Sequence, residues 1–252
     1  MSDLTYRAIV LAAKASFRLL GQRIEMTGTQ QIPTAGAGLL AFNHVSYVDY
    51  LYGGLAAQPS RRLVRVMAKR ELFDHRWVGP VMRSVGHLEV DRERGESSLR
   101  AAVAALRAGE LVGIFPEATI SRALVVKELK TGAVRIAARA GVPLIPVALW
   151  GTQRILTKDH PRDLTRGRLI TVRVGEPLRP SGADPIAETA ELRAALSALV
   201  AESVAAYPAA EQPPGAWWLP AEYGGSAPTL LQATVLDERE RAARRERQRK
   251  RR

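Results

Sequence analysis

The segment NHVSYVDY, residues 43–50, places one of the chain's four histidines five residues ahead of an aspartate, Asp49. Imidazole is the side chain best suited to moving protons near neutral pH. A carboxylate returning to that ring would fix its tautomer and stabilise the imidazolium formed when it takes a proton. The preceding GLLAF, residues 38–42, is apolar enough for a buried strand, and YVDYLYGGL opens a helix with Asp49 in its first turn. A histidine at the carboxyl end of such a strand projects into the crevice where open α/β sheets bind their ligands. The same spacing also suits a capping aspartate beside a structural histidine. On this segment alone both readings stand.

Three further stretches carry polar groups to the same kind of edge. IFPEATISR, residues 114–122, starts as a buried strand and breaks at Pro116 into a polar turn that presents Glu117, Thr119, Ser121 and Arg122. Residues 68–92, AKRELFDHRWVGPVMRSVGHLEVDR, set Lys69 and Arg92 at strand ends, and GVPLIPVALWG is an almost unbroken apolar strand. Other chemistries find less support. With no cysteine, the chain has no disulfide, thiolate zinc site or cysteine nucleophile. His44, His75, His87 and His160 show no metal-ligand spacing, and no P-loop occurs. GAGLLA, residues 36–41, fits the letters of a dinucleotide fingerprint, but that fingerprint needs a strand before it and a helix after it. Here Pro33 and a turn precede it and a strand follows.

The elements that must position these residues alternate. Strand candidates are RIEMTG, GLLAF, RLVRVMA, HLEVD, LVGIFP, PLIPVAL and LITVRV. In ESSLRAAVAALRAG, Leu99, Ala102, Val103 and Leu106 recur at helical spacing before the stop at Gly109. TGAVRIAARAG and residues 185–206 supply two more helices. The expectation is an α/β fold: a mixed, mostly parallel central sheet of about seven strands flanked by helices, with an N-terminal amphipathic helix. Residues 1–22 form that helix, 23–207 the main domain, and 208–252 a Pro/Gly-rich extension ending in a charged tail.

Charge bears on partners. The 252 residues carry a formal net charge of +12, and the last sixteen, DERERAARRERQRKRR, hold nine basic and four acidic side chains. Such a surplus attracts anionic surfaces and substrates. In residues 4–20, Arg7, Lys14 and Arg18 share one side of a helix, with Tyr6, Ile9, Val10, Phe17 and Leu20 on much of the other. That division suits a helix lying in a lipid interface, and equally one packed on the core with its basic side in water. Trp217 and Trp218 admit the same two readings. A nucleic-acid groove would interleave aromatic with basic residues; only 6% of residues are aromatic, so no nucleic-acid partner is expected.

The order NHxxxxD, K-x-E-L with a downstream DR, FPE followed by a threonine, and VPLIPV resembles the glycerolipid acyltransferase family of the PlsC type, over about residues 38–150. The resemblance implies an O-acyltransferase that moves a fatty acyl group from acyl-CoA or acyl carrier protein to 1-acyl-glycerol-3-phosphate. It implies His44 as general base, Asp49 as its support, Lys69 and Arg92 as phosphate ligands, and Glu117 and Thr119 in the acceptor site. It also implies a peripheral enzyme on an anionic membrane, at the cytoplasmic face, needing no metal or further cofactor. Glycerol 3-phosphate or another lysophospholipid as acceptor, and an inactive membrane-binding scaffold, are the alternatives. The chain departs from the family's FPEGTRS at Ala118 and Ile120. Isoleucine binds no anion, and residues two apart on an extended segment face one way, so Arg122 is the expected replacement, with Lys127 and Lys130 as further candidates. Alanine disfavours positive φ, so no oxyanion hole is expected at Ala118.

Overall fold

The computed structural model describes residues 3–91 and 95–249. Arg92, expected among the phosphate ligands, lies outside them. Seven strands form one sheet: β1 (Arg23–Thr27), β2 (Gly38–Phe42), β3 (Val64–Lys69), β4 (Leu88–Val90), β5 (Leu111–Ile114), β6 (Leu144–Trp150) and β7 (Leu169–Val174), in the order β1-β7-β6-β2-β5-β3-β4. Every neighbouring pair is parallel except β6 with β7. The mixed, mostly parallel sheet expected from the alternation is therefore present.

The pattern of β2 shows why it lies at the centre. Successive side chains of a strand point to opposite faces. Leu39 and Ala41 enter one core with helices α5 (Gly95–Arg107), α6 (Gly132–Ala140) and α7 (Pro185–Ala205). Leu40 and Phe42 enter the other, with Phe17 of α1 (Asp3–Leu19) and Tyr52 and Leu55 of α2 (Asp49–Leu55). Buried on both faces, the strand can afford no polar residue, hence GLLAF. Phe42 fits because its neighbours are glycines: a Cβ on Gly53 or Gly113 would stand 2.8 or 2.7 Å from its ring.

Short helices α3 (Arg70–Phe73) and α4 (Val78–Ser84) follow β3, and a long α8 (Leu230–Arg249) ends the described chain. The apolar side of α1 is spent on the body. Tyr6 and Phe17 are buried, Phe17 stacks on Tyr52 with centroids 4.7 Å apart, and the Tyr6 hydroxyl donates to the Val64 carbonyl at 2.8 Å. Its outer face shows Arg7, Leu11, Arg18 and Leu19. The Pro/Gly-rich extension wraps the main domain. Trp218 and Leu219 join the first core, and Trp217 stacks on His160 at 3.8 Å.

β2 and β5 are parallel neighbours whose chains leave to opposite faces, β2 into α2 and β5, through a long loop, into α6. Such a divergence opens a crevice at the strands' carboxyl ends. His44 and Glu117 stand two and three residues past those ends.

Candidate active site

The two residues of NHxxxxD that chemistry singles out are in contact. His44 Nδ1 lies 2.9 Å from Asp49 Oδ2. Asp49 is fully buried, and the same oxygen accepts from the backbone N–H groups of Val45 at 2.8 Å and Ser46 at 2.7 Å. Oδ1 takes the Thr152 hydroxyl at 2.6 Å. A carboxylate that accepts from every side has only acceptor capacity to offer the ring. The network therefore assigns the proton to Nδ1 and leaves the lone pair on Nε2. The imidazole rests on Phe115, centroids 4.4 Å apart, and 20% of its side chain is open to solvent. The ring is thus held in one tautomer, and the Asp49 carboxylate binds the loop ahead of α2 rather than capping the helix.

The asparagine ahead of the histidine is buried. Its side-chain amide donates to the Leu149 carbonyl at 3.0 Å, and its Oδ1 accepts from the Leu149 N–H at 2.7 Å. Asn43 so extends the β2–β6 ladder past the end of β2 and fixes where His44 emerges.

Glu117 works from beneath. It is 4% exposed; Oε1 accepts from the His44 N–H at 2.8 Å and Oε2 from the Lys127 N–H at 3.3 Å. Burial pushes its carboxyl up to about 8, against the lowering effect of those two N–H groups and of the Lys127 charge. The glutamate thus ties the loop after β5 to the loop after β2, a bond that Ser121 N–H to His44 carbonyl at 2.7 Å repeats. Ala118 departs from expectation, with φ at +60°, and its N–H closes a turn onto the Phe115 carbonyl at 3.0 Å. A non-glycine residue there stores roughly 1–2 kcal/mol of strain.

Ile120 is buried, 3% exposed, and faces no solvent. Arg122, the expected replacement for the family's arginine, does reach a polar cluster, and that cluster is already filled. Its guanidinium meets Asp159 at 2.5 Å, Glu240 at 3.0 Å, and Asp237. Lys158 donates to Thr119 Oγ1 at 3.0 Å, to Asp237 at 3.2 Å and to Glu240 at 2.9 Å, while Lys127 reaches Asp237 at 3.4 Å. Burial works against the Arg122 charge, but the hydrogen bonds it donates to Asp159 and Glu240 outweigh it and hold the group above its ordinary value. Asp237 is held below the usual carboxylate range: burial raises it, and Lys158 and Lys127 more than compensate. Lys130 is exposed.

Lys69 ends β3 half-buried, two strands from His44 and so roughly 10 Å across the sheet edge. The structure thus brings His44, Asp49, Lys69, Glu117, Thr119 and Arg122 to one edge. Thr152 and Lys158 were missed. Both follow the apolar run of β6, and polar residues just past a strand parallel to β2 were the available signal.

Fold and comparisons define the class as an α/β acyltransferase. The profile of the Acyltransferase family matches residues 23–150, and the chain belongs to that family. It is 31% identical over 174 residues to the 1-acyl-sn-glycerol-3-phosphate acyltransferase of Bacillus subtilis (strain 168), covering 69% of this chain and 82% of that one. It is 30% identical over 183 residues to the 1-acyl-sn-glycerol-3-phosphate acyltransferase alpha of Mus musculus, covering 71% and 62%. The crystal structure of the 1-acyl-sn-glycerophosphate (LPA) acyltransferase, PlsC, from Thermotoga maritima is similar over 80% of each chain, with a TM-score of 0.67 and 25% identity.

Proposed function

We propose that the chain acylates the free hydroxyl of 1-acyl-glycerol-3-phosphate, giving phosphatidic acid, with His44 as general base. The single observation that carries this reading is the buried, fully engaged Asp49 on His44 Nδ1, at the crevice between β2 and β5. Relatives named for this acceptor supply the substrate.

Chemically, Nε2 of His44 takes the proton of the acceptor hydroxyl as its oxygen attacks the thioester carbonyl. The tetrahedral intermediate collapses with loss of the thiolate, and the imidazolium returns the proton to sulfur. Asp49 stabilises that imidazolium and prevents the ring from turning. A positioned base of this kind contributes on the order of 10²–10⁴ in rate. No acyl-enzyme is needed, in keeping with a chain that lacks cysteine. The donor in this reading is an acyl thioester, carried on coenzyme A or on acyl carrier protein. Thr119, Arg122 and Lys158 address the acceptor's phosphate, with Lys69 toward the β3 side.

The edge that carries His44 is the one we assign to the bilayer. Leu72 of α3, Trp77 just ahead of α4, and Val78 and Val81 of α4 are exposed after β3, and Tyr47 and Tyr50 are exposed beside the site. Among the described residues no helix is long and apolar enough to cross a membrane. In this reading contact is peripheral, at the cytoplasmic face, through these exposed apolar residues and the basic outer side of α1.

The experiment is thiol release from a long-chain acyl-CoA and from acyl carrier protein, with lysophosphatidic acid, glycerol 3-phosphate or another lysophospholipid as acceptor. The reading expects release with lysophosphatidic acid and phosphatidic acid as product. Release with another acceptor alone would reassign the substrate, and silence with all would favour an inactive scaffold.

A further inference from the structure

The cation cluster beside the site has an internal occupant. Arg122, Lys127 and Lys158 stand on two loops that are hydrogen-bonded to the backbone of the segment carrying His44. Ser121 N–H donates to the His44 carbonyl, and the Thr157 hydroxyl donates to the Val45 carbonyl at 2.7 Å. The anions that neutralise the cluster are Asp159, from the Lys158 loop, and Asp237 and Glu240, from α8, more than a hundred residues beyond Arg122. Two of its three counter-charges are thus carried in by a C-terminal helix.

That helix is held by ions more than by apolar packing. Among its described side chains Ala233 and Asp237 are the buried ones, one turn apart, with Leu236 and Glu240 half-buried on the same side. Its larger apolar residues Leu230, Leu231 and Val235 stay exposed. Beyond Glu240 the sequence holds eight basic residues and one acidic one. Carboxylates at its middle and a dense positive charge toward its C-terminal end make a helix that a cationic pocket attracts by the first and an anionic surface by the second.

We propose that Arg122, Lys127 and Lys158 form a phosphate-monoester site that α8 closes with the carboxylates of Asp237 and Glu240, and that an anionic bilayer opens by drawing the basic end of α8 away. The inference rests on the reading of the site as an acceptor site. It adds that the chain carries its own competitor for the acceptor's phosphate, released where the lipid substrate resides. The phosphate then takes the place of two carboxylates on the same three cations.

Because the chain lacks cysteine, two nitroxide labels can be placed cleanly, at Ala242→Cys on α8 and Ala194→Cys on the exposed side of α7. In buffer, and with phosphatidylcholine vesicles, one and the same interspin distance is expected. Vesicles containing phosphatidylglycerol should add a second population at a different distance, and so should the double substitution Asp237→Asn, Glu240→Gln without lipid. Soluble glycerol 3-phosphate, tested alone, separates a free phosphate from a lipid surface as the releasing agent: displacement by the ester without vesicles would overturn the bilayer's part, and its absence is expected. One unchanged distance throughout would overturn the proposal. In turnover the double variant should lower the apparent KM for lysophosphatidic acid by roughly three- to tenfold with kcat unchanged, the range expected when an open state of about a tenth to a third of the molecules becomes fully populated. A raised or unaltered KM would instead make the two carboxylates organisers of the site. Distances that respond while no acceptor is acylated would sink the substrate reading and leave the anion-released helix standing.

Discussion

Two clusters of charge lie side by side at the carboxyl edge of the sheet, and they are built in opposite ways. In the first, Asp49 and His44 are five residues apart, and all but one of the donors to the carboxylate come from the same short loop. In the second, Arg122, Lys127 and Lys158 draw counter-ions from residues 159, 237 and 240. The first is wired mainly within one loop and does not depend on α8. The second depends on a helix whose hold is ionic. A fixed base beside a screened and removable anion site separates chemistry from recognition, and substitutions should separate them too.

The largest effect is expected at Asp49→Asn. The amide cannot serve as an acceptor for all its present donors, and the imidazolium loses its counter-charge. Turnover should fall by on the order of 10²–10⁴, the range of general-base catalysis, while the KM for the acceptor stays near that of the wild type. A comparable loss appearing in KM alone would break the division between the two clusters.

Arg122→Ala should do the converse. Removing a charge-assisted bond to the phosphate costs about 1.5–3 kcal/mol, so the KM for lysophosphatidic acid should rise roughly 10- to 100-fold with kcat little changed. An unphosphorylated monoacylglycerol acceptor should not register the substitution. If it did, Arg122 would be supporting the site's architecture only.

Glu117 lies between the two clusters and should appear in stability before activity. Burial raises its carboxyl from 4.5 to about 8. The folded chain therefore keeps a proton that the unfolded chain has already lost, and stability must fall as pH rises across that window. Below about 4.5 both states hold the proton and the penalty vanishes. Melting temperatures of wild type and Glu117→Gln, taken at pH 5 and pH 8, should show a smaller decline for the variant. Parallel declines would mean that Glu117 does not carry the effect.

The smallest expected change is a gain. Ala118→Gly relieves a residue held at a φ of +60° and should stabilise the fold by about 0.5–1 kcal/mol. A melting temperature that stays put or drops would show that the turn is strained for another reason.

Much of this edge was readable before any coordinates, and the reason is again locality. The seven strand candidates correspond to β1–β7; β2 and β6 were the plainest, because a strand buried along its whole length has nothing but apolar residues to show. The His44–Asp49 pair was legible as a candidate, since both residues lie in one loop and the following helix. Other features needed the fold. Thr152 reaches Asp49 from the far end of a neighbouring strand, and Lys158 and α8 meet Arg122 through contacts of which no sequence window gives a hint. α3 and α4 are too short for helical periodicity to register. At Ala118 local preference pointed away from positive φ, and the bond between Ala118 and Phe115 overrode it.

The most direct test of the central claim is turnover of His44→Ala with lysophosphatidic acid, alongside its melting temperature. The ring packs on Phe115 at the edge of the fold, so the variant should remain folded. The account predicts acceptor-dependent thiol release reduced by at least about 100-fold, with phosphatidic acid formation lost in parallel. A folded variant that still forms phosphatidic acid at a rate near that of the wild type would contradict it, because no base held by Asp49 would then be needed.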